Sequence, residues 1–358
     1  MSTGASEPLR LTSDDLRTPQ VEAYLDEQRM LRRDVPEAPP RPLIVRIFYS
    51  SVFYLSLASG LGAFVAWAIL EPFIDDSLVR GDEFQVAMVL LFPTVAAFVG
   101  LFLGAAEGIM CRNPLRATIC AAVGMGCGFG GGLIAWFVGE ILFGITMVIA
   151  VSFMDNPQPG ERPTGIAMMI LMMGRAVSWA IIAIPAGLGQ GIALRDKKVA
   201  LNGLLGALLG GLLGGLLFDP IDYALTPPGG QASVSRAVGF LTIGLMVGLF
   251  VGVVEQWTKS AWLLMKAGPL AGKQFILFRN PTVLGSSPKA DVYLFKDEAI
   301  EPQHALIHNR GGRYEIEDRN TADGTYVNGI PVPRRILKAG DQIVLGKTIL
   351  EFSLREFP

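Results

Sequence analysis

Side chains suited to acid–base or metal chemistry are few in this chain. It holds two histidines, His304 and His308, both within AIEPQHALIHNRGGRYEIEDRNTADGTYVNG (299–329), and three cysteines, Cys111, Cys120 and Cys127. A histidine can act as a general base or a metal ligand at neutral pH. Either role needs a partner: a nucleophile to activate, or further ligands at metal spacing. Neither stands beside His304 or His308. The cysteines lie in or next to apolar segments with no histidine nearby, which fits small buried hydrophobes and argues against a disulfide framework or a zinc site. No enzyme, cofactor or metal is implied, and the histidines read as parts of a scaffold.

The composition says what that scaffold is attached to. Of 358 residues, 51% are hydrophobic and 17% charged, against about 25% charged in an average soluble protein. A polytopic membrane protein is expected. The net charge of −2 says nothing about nucleic acid, but no basic arm or stripe stands out, and no nucleic-acid partner is expected. The N-terminus is polar and acidic, so no cleavable signal peptide is expected.

Residues 1–45 read as a cytoplasmic tail. A short helix is expected from Thr18-Pro19, with Val21 and Leu25 on one face, followed by the stiff spacer VPEAPPRPL (35–43). Within 46–257, six apolar segments follow at about 46–70, 86–110, 117–153, 164–194, 199–218 and 236–257. Each is long enough for a bilayer, which needs about 20 residues. The third is too long for a simple span, and its far end is expected to tilt or lie in the outer interface. Basic loops at Arg112/Arg116 and Arg195/Lys198 alternate with acidic ones at 71–83, DNPQPGERP and DPIDYALTPPGGQAS. The alternation places both termini in the cytoplasm.

The segments also repeat. GLFLGAAEGIMCR (100–112) matches GLFVGVVEQWTKS (248–260), and EGIMCR matches QGIALR (190–195). The runs GMGCGFGGGL and GALLGGLLGGLL present small residues at spacings that let helices approach closely. Ionisable groups inside a membrane are functional candidates by default. Here these are Glu107, Gln190 and Glu255 at equivalent repeat positions, and Glu140 with Arg175, which could pair. The first set is either a group of interfacial side chains paired with Arg112, Arg116 or Lys259, or a polar ring around a pseudo-threefold pathway.

From Trp262 onward the period changes from helical to two, in short runs bounded by Gly, Pro, Asn and Asp. That pattern predicts a β-sandwich over 262–358, lying close to the membrane. The stretch VLGSSPKADVYLFKDEAIEPQHALIHNRGGRYEIEDRNTADGTYVNGIPVPRRILKAGDQIVLG resembles a forkhead-associated (FHA) domain. The chain as a whole is similar to bacterial membrane proteins with glycine-rich repeats and a terminal FHA domain. The resemblance implies a phosphothreonine-peptide reader whose ligand loops carry Gly285, Ser286, Glu301, Pro302, His304, Asp323, Gly324, Thr325 and Asn328. Gly285, His304, Gly324 and Thr325 match the family motif. Its arginine is Ser286, its Ser-Arg pair is Glu301-Pro302, and its asparagine is Asp323. A phosphate needs cationic donors, and two carboxylates now stand in the cradle. The expectation is a degenerate domain that binds a protein partner without requiring phosphothreonine, with Lys289 and Lys296 as possible displaced cations. His304 is expected to orient its loop and His308 to be an alternating strand residue. A transporter or channel gated by the FHA domain, or a phosphothreonine-dependent reader, is the competing reading. Lipid is the expected surround, and a homo-oligomer is compatible with the sequence.

Overall fold

The structure is a computed structural model that describes residues 42–76, 85–154, 163–227 and 230–355. The expected N-terminal helix and nearly all of the proline-rich spacer lie outside the described residues. The helices are α1 (Leu43–Phe48), α2 (Ser51–Leu70), α3 (Val86–Met110), α4 (Pro114–Val151), α5 (Gly165–Leu194), α6 (Lys197–Leu225) and α7 (Ser233–Thr258), with a 3-10 turn at Glu71–Phe73 after α2. Among the described residues six helices, α2 to α7, are long and apolar enough to cross a membrane.

These six form a closed ring. Each packs on the next in chain order, α7 returns to α2, and α3, α5 and α7 also touch one another. Glycine makes the closeness possible. A Cβ on Gly104 of α3 would lie 2.2 Å from the Cys120 carbonyl of α4, and one on Gly187 of α5 2.3 Å from the Gly203 carbonyl of α6. On Gly248 of α7 it would lie 2.1 Å from the Leu55 carbonyl of α2, so the three hairpin-like contacts share one device. The expected glycine face of α4 is only partly used. Gly124 and Gly128 meet α3, whereas Gly126 and Gly130 have nothing within 4 Å.

The turns after α3 and α5 share one geometry. Arg112 and Arg195 both adopt left-handed backbone, with φ 51° and 53°. The Asn113 amide donates to the Gly108 carbonyl (2.8 Å) and the Asp196 amide to that of Gly191 (3.0 Å). Asn113 and Asp196 then cap the next helix by accepting from backbone amides with their side chains. Short polar residues are favoured at such caps because they satisfy orphan amides.

The long segment at 117–153 is one unbroken helix of 38 residues, about 57 Å at 1.5 Å per residue. Two sequence expectations need correction. The fifth apolar segment does not stop at 218: α6 continues through Pro220 to Leu225, so DPIDYAL is helix and not loop. Glu140 and Arg175 do not pair. Glu140 points outward from α4, while Arg175 bonds Asp219 at 2.8 Å, a carboxylate only 7% exposed, and stacks on Phe143. The extra turns of α6 supply that carboxylate, and a buried charge needs such a partner.

At the end of the ring away from the sandwich, Arg236, 9% exposed, bonds both Glu71 (2.6 Å) and Asp76 (2.7 Å). It ties α7 to the end of α2.

Residues 261–354 form the sandwich. One sheet has the order β2-β1-β11-β10-β7-β8 and the other β4-β3-β5-β6-β9. The strands are β1 (Ala261–Ala267), β2 (Gln274–Ile276), β3 (Thr282–Gly285), β4 (Val292–Tyr293), β5 (Ala305–Arg310), β6 (Arg313–Asp318), β7 (Thr325–Val327), β8 (Ile330–Pro331), β9 (Arg334–Ile336), β10 (Gln342–Leu345) and β11 (Thr348–Leu354). Alternating residues such as Leu263, Ile307, Ile316, Leu350 and Phe352 fill the space between the sheets. Period-two patterning puts one side chain in two on the inner face. Cys111, from the α3–α4 turn, joins this same apolar cluster, and burial pushes its thiol above the usual range.

Candidate functional site: the loop end of the sandwich and its contact with the helices

Three connections meet at one end of the sandwich: β3–β4 (286–291), β4–β5 (294–304) and β6–β7 (319–324). Gly285 ends β3 where the β4–β5 loop crosses closest. A Cβ there would lie 2.2 Å from the Pro302 carbonyl. The absence of a side chain lets Ser286 donate its amide to the Glu301 carbonyl at 3.0 Å.

His304 is fully buried and holds two loops together. Its Nδ1 accepts from the Glu301 amide (3.2 Å), and its Nε2 lies 3.1 Å from both the Gly324 carbonyl and the Thr321 hydroxyl. An accepting Nδ1 places the proton on Nε2, which donates to Gly324. The expected scaffold role is what this geometry performs.

Asp318 closes the β6–β7 loop by accepting from the Thr321 amide and from the Thr321 and Thr325 hydroxyls at 2.7–3.0 Å. Burial raises its pKa, but the hydrogen bonds from Thr325 and Thr321 outweigh that, and the carboxyl sits below its ordinary value. Glu301 reaches across the gap, and its Oε1 accepts from the Ala322 amide at 3.0 Å. A carboxylate therefore bridges the two loops that border the cradle.

Gly285, Ser286, Glu301, Pro302, His304, Gly324 and Thr325 come together here, with Asp323 on the β6–β7 loop beside Gly324. Asn328 belongs elsewhere. It lies beyond β7 with a left-handed backbone (φ 54°). Its side chain bonds Asp341 (2.8 Å) and the Gln342 amide (2.8 Å), so it shapes a turn. His308, on β5, lies 3.1 Å from the Glu317 carboxylate of β6, a cross-strand contact of an alternating residue.

The helices grip this same end. Asn113 donates its side-chain amide to the Pro288 carbonyl (2.7 Å), and Arg116 donates to the Asp291 carbonyl (3.2 Å). Arg279 spans from Asp291 to the end of α5, donating to the Leu194 carbonyl. Arg116 also faces Glu107 at 3.5 Å, and Glu107 accepts from Gln190 at 2.9 Å. The expected pairing of Glu107 with Arg116 is present, and Gln190 from the second repeat joins it. Glu255 lines the same interdomain cavity as Glu107. Thus Glu107, Gln190 and Glu255 meet at the sandwich end of the ring, whereas Glu140 and Arg175 belong to neither cluster.

Sequence reasoning passed over Asn113, Arg116 as a sandwich contact, Arg236, Asp219 and Lys273. Asn113-Pro114 carries a cap signal, an N-cap residue followed by proline at the first helical position. Lys273 carries none.

Comparison with known proteins agrees with this geometry. The FHA domain family profile matches residues 282–346. An oxoglutarate dehydrogenase inhibitor of Corynebacterium jeikeium is 39% identical over 93 residues, 26% of this chain and 64% of that protein. The glycogen accumulation regulator GarA of Mycolicibacterium smegmatis is 36% identical over 105 residues, 29% of this chain and 66% of that one. The chain thus spans just under two thirds of the length of these curated relatives, and only through its C-terminal part. A crystal structure of the FhaA FHA domain complexed with the intracellular domain of Rv3910 is 27% identical, with a TM-score of 0.24, covering 26% of this chain and 99% of that one. Residues 282–346 of this chain are an FHA domain.

Proposed function

We propose that the chain is a non-enzymatic membrane scaffold in which helices α2–α7 cross the cytoplasmic membrane and present the FHA domain on its inner face to a protein partner. On this reading 1–45 is a cytoplasmic tail, 46–257 the membrane domain with its recurring helical unit, and 262–358 the interaction module. Hydropathy and length support the spans. The basic turns at Arg112 and Arg195 lie at the end that bears the sandwich, which the positive-inside rule assigns to the cytoplasm.

The observation that carries the binding mode is the Glu301 carboxylate bonded to the Ala322 amide. Negative charge and an occupied backbone donor stand where a phosphate would need free donors. Ser286 offers no cation in place of the family's arginine. The partner is therefore recognised without a phosphothreonine requirement. The matched relatives are named as an enzyme inhibitor and a regulator, which fits a module that acts by binding. Capture of partners by the full chain from solubilised membranes, before and after phosphatase treatment, tests this. The same partners should be recovered in both, and their loss after phosphatase would contradict it.

A second reading, a solute pathway gated by the FHA domain, draws support from one feature. Glu107, Gln190 and Glu255 gather at the end of the ring that the sandwich covers. Solute flux in proteoliposomes distinguishes the two.

A further inference from the structure

Lys273 belongs to the sandwich, just ahead of β2, yet its side chain leaves that domain and enters the helical ring. The residue is only 3% exposed. Its ammonium lies 4.5 Å from the centroid of the Tyr54 ring and 3.3 Å from the Tyr54 hydroxyl. A lysine this buried needs compensation, because desolvating an ammonium is costly. Glu107 of α3 and Glu255 of α7 line the same cavity. An aromatic face, a phenol oxygen and flanking carboxylates are the groups that recognise an alkylammonium ion.

A further observation points to a ligand site and not only a packing contact. The cavity around the Lys273 head measures about 630 Å³, within the range of about 300–1,000 Å³ typical of small-molecule sites.

We propose that the mouth of the helical ring is a binding site for a primary ammonium group, that Lys273 is its tethered occupant, and that free alkylammonium solutes compete with the docked FHA domain for it. The site joins the two halves of the molecule. When Lys273 sits in it, the β1–β2 connection is held against α2, and when a solute amine replaces it, that hold is released. This holds whichever ligand the FHA loops take.

The full chain in detergent micelles provides the test, with n-propylammonium chloride as the probe and sodium chloride at matched ionic strength as the control. Calorimetry on Lys273→Ala should show propylammonium binding. Adding Glu255→Gln should weaken that binding, since a carboxylate that lines the cavity loses its charge. Wild type, its site filled, should show no such heat at the same concentrations. Absence of amine-specific binding in Lys273→Ala, or equal binding by wild type, overturns the proposal. Should Lys273→Ala not fold, hydrogen exchange on wild type decides. Propylammonium raised until it competes with the tethered side chain should speed exchange in residues 268–276 beyond the sodium chloride control, and unchanged exchange there also overturns it.

Discussion

Asn113 donates its side-chain amide to the carbonyl oxygen of Pro288 at 2.7 Å. The same side chain caps α4 by accepting from the Arg116 amide at 3.0 Å. One buried residue thus starts a helix of the ring and holds a loop of the FHA domain. Asn113→Asp separates the tasks, because a carboxylate still caps but cannot donate. The variant should keep α4 and lose the grip. Hydrogen exchange in 286–291 of the full chain should quicken by about tenfold, the equivalent of one lost hydrogen bond of about 1.5 kcal/mol, while exchange in 117–130 stays as in wild type.

His304 ties the β4–β5 loop to the β6–β7 loop, with no water reaching it. His304→Ala leaves the Glu301 amide and the Gly324 carbonyl without this partner and opens a cavity. The expected loss is about 2–4 kcal/mol of sandwich stability, read by denaturant unfolding. Gly285→Ala should also destabilise, since its Cβ would press on the Pro302 carbonyl at 2.2 Å. A near-neutral effect of both would refute the scaffold role of the loop end.

Acid should attack the same loop through Asp318. Its folded-state pKa is lowered: burial opposes ionisation, but bonds from Thr325 and Thr321 outweigh it. A depressed carboxyl contributes stability that is fully present above its unfolded pKa of about 3.9 and is lost as pH falls through the folded value. Stability of the sandwich should therefore decline below about pH 4. Asp318→Asn should lower the neutral plateau and flatten that acid limb. A parallel shift of the whole curve would contradict the assignment.

How far the sequence disclosed this molecule follows from which interactions are local. Runs of twenty or more apolar residues and period-two strands depend on neighbours along the chain, so six long apolar helices and the sandwich were legible. So were Gly285 and His304, through motif spacing. The end of α6 was not. DPIDYALTPP reads as a polar, proline-marked loop, and only the approach of Arg175 from α5 makes Asp219 tolerable inside a helix. Glu140 was misassigned for a related reason: sequence position gave its depth along a helix but not its azimuth, and it points away from the ring. Lys273 and Asn113 act across the interdomain contact, which leaves no periodic trace.

The Arg175–Asp219 pair gives its own prediction. Asp219 is 7% exposed on its side chain, so Arg175→Met leaves a buried carboxylate without its cation and should cost about 3–5 kcal/mol. Arg175→Met with Asp219→Leu removes both charges and should regain most of that. Thermal unfolding of the four combinations in detergent measures the coupling. Additive losses would show that the two do not act as a pair.

The central claim is that this FHA domain recognises a protein without a phosphothreonine requirement. The resemblance puts Ser286 at the family's arginine position, and Glu301 holds a carboxylate on the Ala322 amide between the two loops. Losing the arginine alone removes about 1.5–3 kcal/mol, tenfold or more in affinity. The most direct measurement is calorimetry of the full chain against a phosphothreonine peptide library and its unphosphorylated twins. The account predicts no more than about a few-fold preference for phosphate, with Ser286→Arg, Glu301→Ser and Asp323→Asn together raising it. Micromolar binding by the unmodified chain that vanishes without the phosphate, with Lys289 or Lys296 as the displaced cation, would contradict it.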